Sequence, residues 1–368
     1  MRFAVSLGAL VASLALIALP SIALASSLDA TSPVPSVEPT STTPTPTPEP
    51  RTMTLLVAGD LMCHSQQLRA AHGANGYDFK PAFARVAKVV SAADLSIGNL
   101  ETTLSEHYRT GYPTFKSPAS YASALKWAGF DALGTANNHT LDGGGTGVRY
   151  TSRVLDRLGL AHVGSDGHRV TVVERNGIRI AVLAYTYGTN GLRSPYPGAV
   201  NRTKLTSIRR DIKSARKHAD AVIVMMHWGS EYTMTPAAST RRLARGIVRA
   251  GADLVVGSHP HVVQPVERYK GHYIVYSMGN FISGQSRSRT DLGIMVRVRI
   301  KKGTTTSIDR LEVLPVYRDA TPGLGRSSYR TVLISSALAG KERAISRADR
   351  RRLLSYRALC RRMFGRYL

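Results

Sequence analysis

Cysteine is nearly absent. Cys63 and Cys360 are the only two in 368 residues, which excludes a disulfide framework, and their wide separation gives no reason to pair them. Cys63 follows Asp60 by three positions and reads first as a packing residue. No cysteine directly follows the apolar N-terminal run, so a bacterial lipoprotein is not expected. Acidic residues are also scarce, 24 against 49 basic ones, for a formal net charge of +25. An excess of this size concerns partners and non-specific binding, not fold. No nucleic-acid-binding motif accompanies it, so nucleic acid is not the expected partner. No internal repeat is apparent.

What is present divides into four stretches. Residues 1–25 carry Arg2, an apolar run from Phe3 to Leu19 and Ala23-Leu24-Ala25 before Ser26, the pattern of a secretory signal peptide. The same run is nearly long enough for an uncleaved signal anchor. Either way the remainder is expected to be exported: extracytoplasmic, secreted or membrane-anchored at the cell envelope. Residues 26–51 form a spacer, and within 31–50 there are 7 Pro, 6 Thr and 3 Ser. Such a composition cannot bury a core and favours an extended tether of roughly 60 Å. Residues 52–325 hold the folded domain. The stretch 326–368 is a basic, helix-patterned tail in which residues 341–368 have 10 Lys or Arg against Glu342 and Asp349. With Leu353, Leu354, Leu359, Met363 and Phe364 interleaved, three roles stay open for it: lying on an anionic membrane surface, holding a polyanion, or packing on the domain as a solvated helix.

Within the domain, strand-like and helix-like runs alternate, the pattern of an α/β sheet. Helices are expected over 79–92, 118–129, 146–159, 203–218 and 237–251. Asn176-Gly177 between two β-rich runs signals a type I′ hairpin, with further turns at Lys270-Gly271 and near Lys302-Gly303. The expected architecture is one mixed α/β domain supplemented by antiparallel hairpins.

Most of the polar clusters follow apolar strand-like runs: Gly59-Asp60, Asn99-Leu100-Glu101, Asn137-Asn138-His139, His227 to Glu231, His259-Pro260-His261 and Met278-Gly279-Asn280. Ligands of open α/β sheets bind beyond the carboxyl ends of strands, so these clusters are expected on one rim. A pool of Asp, Glu, Asn and His suits a divalent metal. His259 and His261 would point to opposite faces of a regular strand, so ligation by both needs the irregular path that Pro260 favours. Asp60 and Glu101 supply negative charge. Asn138 offers an amide oxygen, and His139 can donate a proton to an anionic substrate, with Asp142 placed to orient it. Glu231 adds a supporting or catalytic carboxylate.

In this order the residues resemble the CapA family of poly-γ-glutamate capsule-synthesis proteins, which have a calcineurin-like metallophosphatase fold. The resemblance is carried by AGDLMCH (58–64), IGNLETTLS (97–105), ANNHTLDGGGTG (136–147), MMHWGSEY (225–232), VVGSHPHVVQPVE (255–267) and VYSMGNFI (275–282). It implies a β-sandwich flanked by helices, in four αββα layers. It implies Asp60, Asn138, His227, His259 and His261 as metal ligands and His139 as proton donor to a leaving oxygen. Two departures stand out: Met62 occupies the place of a histidine ligand, with His64 nearby, and Asn99, kept among the metal-site candidates, replaces a bridging Asp, with Glu101 as its possible substitute. Asp142 also lies three residues past His139 where the wider pattern has an adjacent acid. One metal, or one tight and one weak, is therefore expected, drawn from Mn, Fe, Zn or Mg. The function implied is synthesis, attachment or export of an anionic cell-surface polymer, with turnover left open. The partners implied are that polymer or a phosphorylated substrate, and membrane-bound synthase subunits. The alternatives are an extracytoplasmic phosphoesterase unrelated to capsule and a non-enzymatic polymer-binding subunit.

Overall fold

The computed structural model describes residues 49–342 and 345–368. The signal segment expected at 1–25 and the expected spacer up to residue 48 lie outside the described residues. Two mixed sheets face each other. The larger has eight strands in the order Arg330–Leu333, Thr306–Asp319, Leu292–Lys302, Arg51–Leu61, Leu95–Leu100, Ala132–Gly134 and Ala161–Val163, with Asn280–Ile282 paired beside the end of Arg51–Leu61. The smaller has six, in the order Val266–Tyr269, His272–Val275, Leu254–Ser258, Ala221–His227, Ile178–Thr186 and Thr171–Arg175.

Alternation along the strands builds the layers. In Arg51–Leu61, Met53, Leu55 and Val57 enter the core between the sheets, while Leu56 and Ala58 face outward. In Ala221–His227, Ile223 and Met225 face inward, and Val222, Val224 and Met226 face the other way. Both faces are buried because helices cover them, which explains the near-continuous apolar runs. Ala119–Trp127 and Gly144–Arg157 cover the large sheet through Tyr121, Leu125, Val154 and Leu155. Leu205–Ala215 and Ala238–Arg249 cover the small one through Ile208, Ile212, Ala244 and Ile247. The result is the four-layer αββα order that the resemblance implies.

Each sheet has a parallel centre. Arg51–Leu61, Leu95–Leu100, Ala132–Gly134 and Ala161–Val163 run in one direction in the large sheet, and Ile178–Thr186, Ala221–His227, Leu254–Ser258 and His272–Val275 do so in the small one. Antiparallel strands finish both edges of the small sheet and one edge of the large one. At Asn176-Gly177 both residues have positive φ, 52° and 68°, the requirement of a type I′ turn. Lys270-Gly271 repeats it at 50° and 84°. The one helix that reads differently is 79–92, which forms as two short pieces, Lys80–Phe83 and Ala87–Val90.

Sheet pairing continues past residue 325, since Arg330–Leu333 pairs with Thr306–Asp319. The helix Arg347–Phe364 follows, its N-terminus capped by the Ser346 hydroxyl, which accepts from the Asp349 amide. It docks through Leu353, Tyr356, Cys360 and Phe364, all part of the inter-sheet core, while Leu354 is left 41% exposed. Both cysteines are free and buried. Burial pushes the Cys63 thiol up to about 12, which keeps it protonated and inert. Among the described residues no helix is long and apolar enough to cross a membrane.

Candidate metal centre

The large sheet brings the acids. A register shift at Gly59 puts one extra residue in the first strand, so that Ala58 pairs with Gly98 but Asp60 with Asn99. Such a bulge re-aims the side chain that follows. Gly59 has to be glycine here, because a Cβ would lie 2.0 Å from the Gly279 carbonyl oxygen. Asp60 is fully buried. It accepts from Asn99 Nδ2 at 2.8 Å, from the His259 amide at 3.4 Å and from His261 Nδ1 at 3.2 Å. Burial alone would raise its pKa, but the His261 bond and charge, with the Asn99 and His259 bonds, outweigh it and hold the carboxyl below its usual range.

Glu101 stands out. It is fully buried, and neither carboxylate oxygen has a hydrogen-bond partner among the described residues. Oε1 instead lies 3.6 Å from His227 Nε2 and 3.8 Å from His261 Nε2. Burial first, and the Asp60 charge second, push its pKa well above the usual carboxylate range.

The small sheet brings the imidazoles. His227 ends its strand, with Nε2 2.9 Å from Asn138 Oδ1. His259 and His261 have φ of +94° and +56°, the left-handed region that L-residues avoid at a cost of about 1–3 kcal/mol each. This is the irregular path expected around Pro260, and it brings both rings to one side. Nδ1 of His261 lies between two acceptors, Asp60 Oδ2 and Asn280 Oδ1 at 3.0 Å. That nitrogen therefore donates to them, and Nε2 is the ring nitrogen turned toward Glu101. Asn280 is oriented by donating Nδ2 to Gln285 Oε1 and to the Thr290 carbonyl. Burial first, then neighbouring imidazoles, lower His227 well below its ordinary pKa and His259 to about 3. Both rings are thus neutral, the form that ligates metals.

Three groups of ligand atoms lie within 4.8 Å of one another: Glu101, His227 and His259; Asp60, Glu101 and His261; Glu231, His259 and His261. Nδ1 of His259 is also buried without a partner. Orphaned carboxylate oxygens and an orphaned imidazole nitrogen are costly when buried, a cost that a cation bound among these groups would relieve. The donor set fits a divalent ion.

The remaining site residues take other positions. His139 is outside all three groups, its Nδ1 2.7 Å from Asp142 Oδ2. Asp142 also accepts from the Phe115 amide at 2.6 Å, and Phe115 packs edge-on against the His139 ring. Asn99 turns its amide nitrogen toward Asp60 and toward His227 Nδ1. His64, adjacent to the missing ligand position at Met62, is committed elsewhere: its Nδ1 accepts from the Gly284 amide at 3.0 Å. Glu231 is exposed on the loop after Ala221–His227. Two contributors had little signal in sequence. Tyr187 lies 4.6 Å from the His259 ring from the end of Ile178–Thr186, where a tyrosine just past a buried strand was the only hint. Asn280 was visible as part of a polar cluster, without a role.

The two facing sheets, the helices on their outer faces and the shared rim define a four-layer αββα fold with a candidate metal centre at its strand ends. The sequence profile of the family described as bacterial capsule synthesis protein PGA_cap matches residues 54–285, which include every ligand candidate, and the chain belongs to that family. It is 34% identical over 254 residues to the PGA biosynthesis protein CapA of Bacillus subtilis (strain 168), covering 65% of this chain and 66% of that protein. It is 29% identical over 276 residues to the capsule biosynthesis protein CapA of Bacillus anthracis, covering 70% of this chain and 66% of that protein. The chain thus spans about 66% of the length of these relatives. Among solved structures it aligns with the 5'-nucleotidase precursor of Thermus thermophilus at 13% identity and a TM-score of 0.45, over 77% of this chain and 54% of that one.

Proposed function

We propose that this protein is an exported member of its family that acts in the synthesis, attachment or export of an anionic cell-surface polymer, through a centre that holds one or two divalent ions. Asp60, Glu101, Asn138, His227, His259 and His261 would hold them, with Asn99 and Asn280 fixing the carboxylate and the imidazole. The observation that carries the reading is Glu101, a buried carboxylate facing two imidazole nitrogens with no donor of its own. An ion at this place supplies Lewis acidity toward a phosphoryl or acyl oxygen. His139 is the proton donor: with Nδ1 held by Asp142, Nε2 is the nitrogen available to a leaving oxygen.

The test uses elemental analysis and melting of the full chain. Wild type should retain Mn, Fe or Zn and melt higher with the ion present, by an amount that corresponds to about 2.7 kcal/mol at a hundred times the dissociation constant. Glu101→Gln should lose both the ion and the shift. Equal metal content in the two proteins would remove the centre. On phosphodiester model substrates with Mn²⁺, His139→Ala should keep its metal and lose about 10²–10⁴ in rate. Absence of any turnover by the metal-loaded wild type would favour the polymer-binding reading, to which Met62 and Asn99 at ligand positions already lend support.

A further inference from the structure

Outside the matched family segment, the chain carries many arginines, and one of them, Arg287, stacks on a tyrosine beside the candidate metal centre. Tyr232 lies with its ring 6.1 Å from that of His261, on a backbone held at φ +62° by the bond from its amide to the Pro260 carbonyl at 2.8 Å. The Arg287 guanidinium covers the Tyr232 ring at 4.5 Å. Ser286 to Arg289 is exposed throughout, and Arg289 reaches Met234 Sδ at 3.1 Å. The next acid in this loop, Asp291, is already used: it is buried, accepting from Arg352 at 2.9 Å and from the Tyr356 hydroxyl at 2.6 Å. Those two bonds join the loop to the helix Arg347–Phe364.

That helix contains seven Arg and a single acid, Asp349, which the Tyr317 hydroxyl and Ser346 occupy. Arg351, Arg357, Arg361 and Arg362 are exposed, and no ion pair or hydrogen bond engages their side chains among the described residues. An amphipathic helix binds a bilayer by burying its apolar face. Here Leu353, Tyr356, Cys360 and Phe364 are already buried in the protein core, so the side that faces outward is mainly cationic, with Leu354 an exposed apolar residue on it. Arginine pairs with carboxylates through two parallel hydrogen bonds. Glu231 is the acid at the rim, beside His259 and His261 as a candidate ligand.

We infer that Arg287, Arg289 and the arginine ridge of the C-terminal helix form a track that holds a linear polycarboxylate along the protein surface and leads it to the metal centre. The track rests on the reading that the polymer handled is anionic, and it adds where and how the chain is held. Two charge-neutralised proteins test it: Arg287→Gln with Arg289→Gln, and Arg351→Gln, Arg357→Gln, Arg361→Gln and Arg362→Gln together. Binding of the full chain to immobilised poly-γ-glutamate is measured against salt, alongside co-sedimentation with phosphatidylglycerol vesicles, melting curves and metal content. Exposed charge pairs contribute roughly 1.5- to 5-fold each. The four-site set should therefore weaken polymer binding about tenfold or more and the two-site set by less. Both should elute at lower salt with melting and metal unchanged. The matching Arg→Lys sets keep the charge but lose the paired hydrogen bonds, so their binding should fall between that of wild type and that of the Gln sets. Wild-type binding that both Gln sets leave intact would overturn the track while the polymer reading stands. No wild-type binding at low salt would overturn both. Retention on vesicles and not on polymer would replace the track with a membrane contact.

Discussion

The two halves of the centre are built on different principles. The large-sheet half, Asp60, Asn99 and Glu101, sits at the ends of paired strands, its side chains aimed by register and one bulge. The small-sheet half, His259 and His261, sits on left-handed backbone just past the end of Leu254–Ser258. One half contributes carboxylates on relaxed backbone, and the other contributes imidazoles on strained backbone. Asp60 joins them, because it accepts from Asn99 of its own sheet and from His259 and His261 of the other. Strain of this kind persists where the surroundings over-determine it, and Asp60 is what over-determines it here.

The largest effect is therefore expected at that junction. Asp60→Ala removes a candidate ligand and also releases both histidines. Loss of a supporting partner alone costs about 10–100-fold in metal affinity, so the combined loss should exceed a hundredfold. His227→Ala, which removes one imidazole and leaves the junction intact, should lose less. Calorimetric titration with Mn²⁺ or Zn²⁺ that ranks the two equally would erase the distinction between the halves.

Next in size is Gly59→Ala. A Cβ there meets the Gly279 carbonyl oxygen at 2.0 Å, and neither backbone can yield without separating Arg51–Leu61 from the segment that carries Asn280. Overpacking of this severity should destabilise by at least about 3 kcal/mol, read as an early midpoint in urea. A midpoint within experimental error of wild type would show the bulge to be adaptable.

The smallest effect probes the strained half. His259→Ala and His259→Gly both remove the imidazole, but only glycine accepts φ +94° without a steric penalty. The glycine protein should be the more stable of the two by about 1 kcal/mol. Equal melting of the pair, both measured without metal, would mean that the backbone at His259 relaxes once the ring is gone.

Much of this molecule was legible in its residues. The alternation of strand and helix patterns, the Asn176-Gly177 hairpin and four of the five helices follow from local periodicity and turn chemistry, which act over a few residues. The helix expected at 79–92 is interrupted between Phe83 and Ala87, while Ala82, Phe83, Val86 and Val90 are all buried in the cluster that holds Tyr121. Asp60, Glu101, Asn138, His227, His259 and His261 announced themselves as polar residues at the ends of apolar strands. Composition alone set the excess of arginine and the absence of a disulfide framework.

Only the tertiary structure decided how those residues divide their work. Glu101 becomes an orphaned carboxylate because two sheets close over it, an effect of burial that no spacing encodes. His139 is separated from the ligand groups and bound to Asp142, and His64 is committed to Gly284, through contacts that depend on how the chain folds around them. The basic tail had three open roles in sequence. Docking decided which side of it faces water, because burying Leu353, Tyr356, Cys360 and Phe364 in the core leaves the arginines outside. Local pattern selects the elements, but the pairing of distant side chains depends on which surfaces exclude water together.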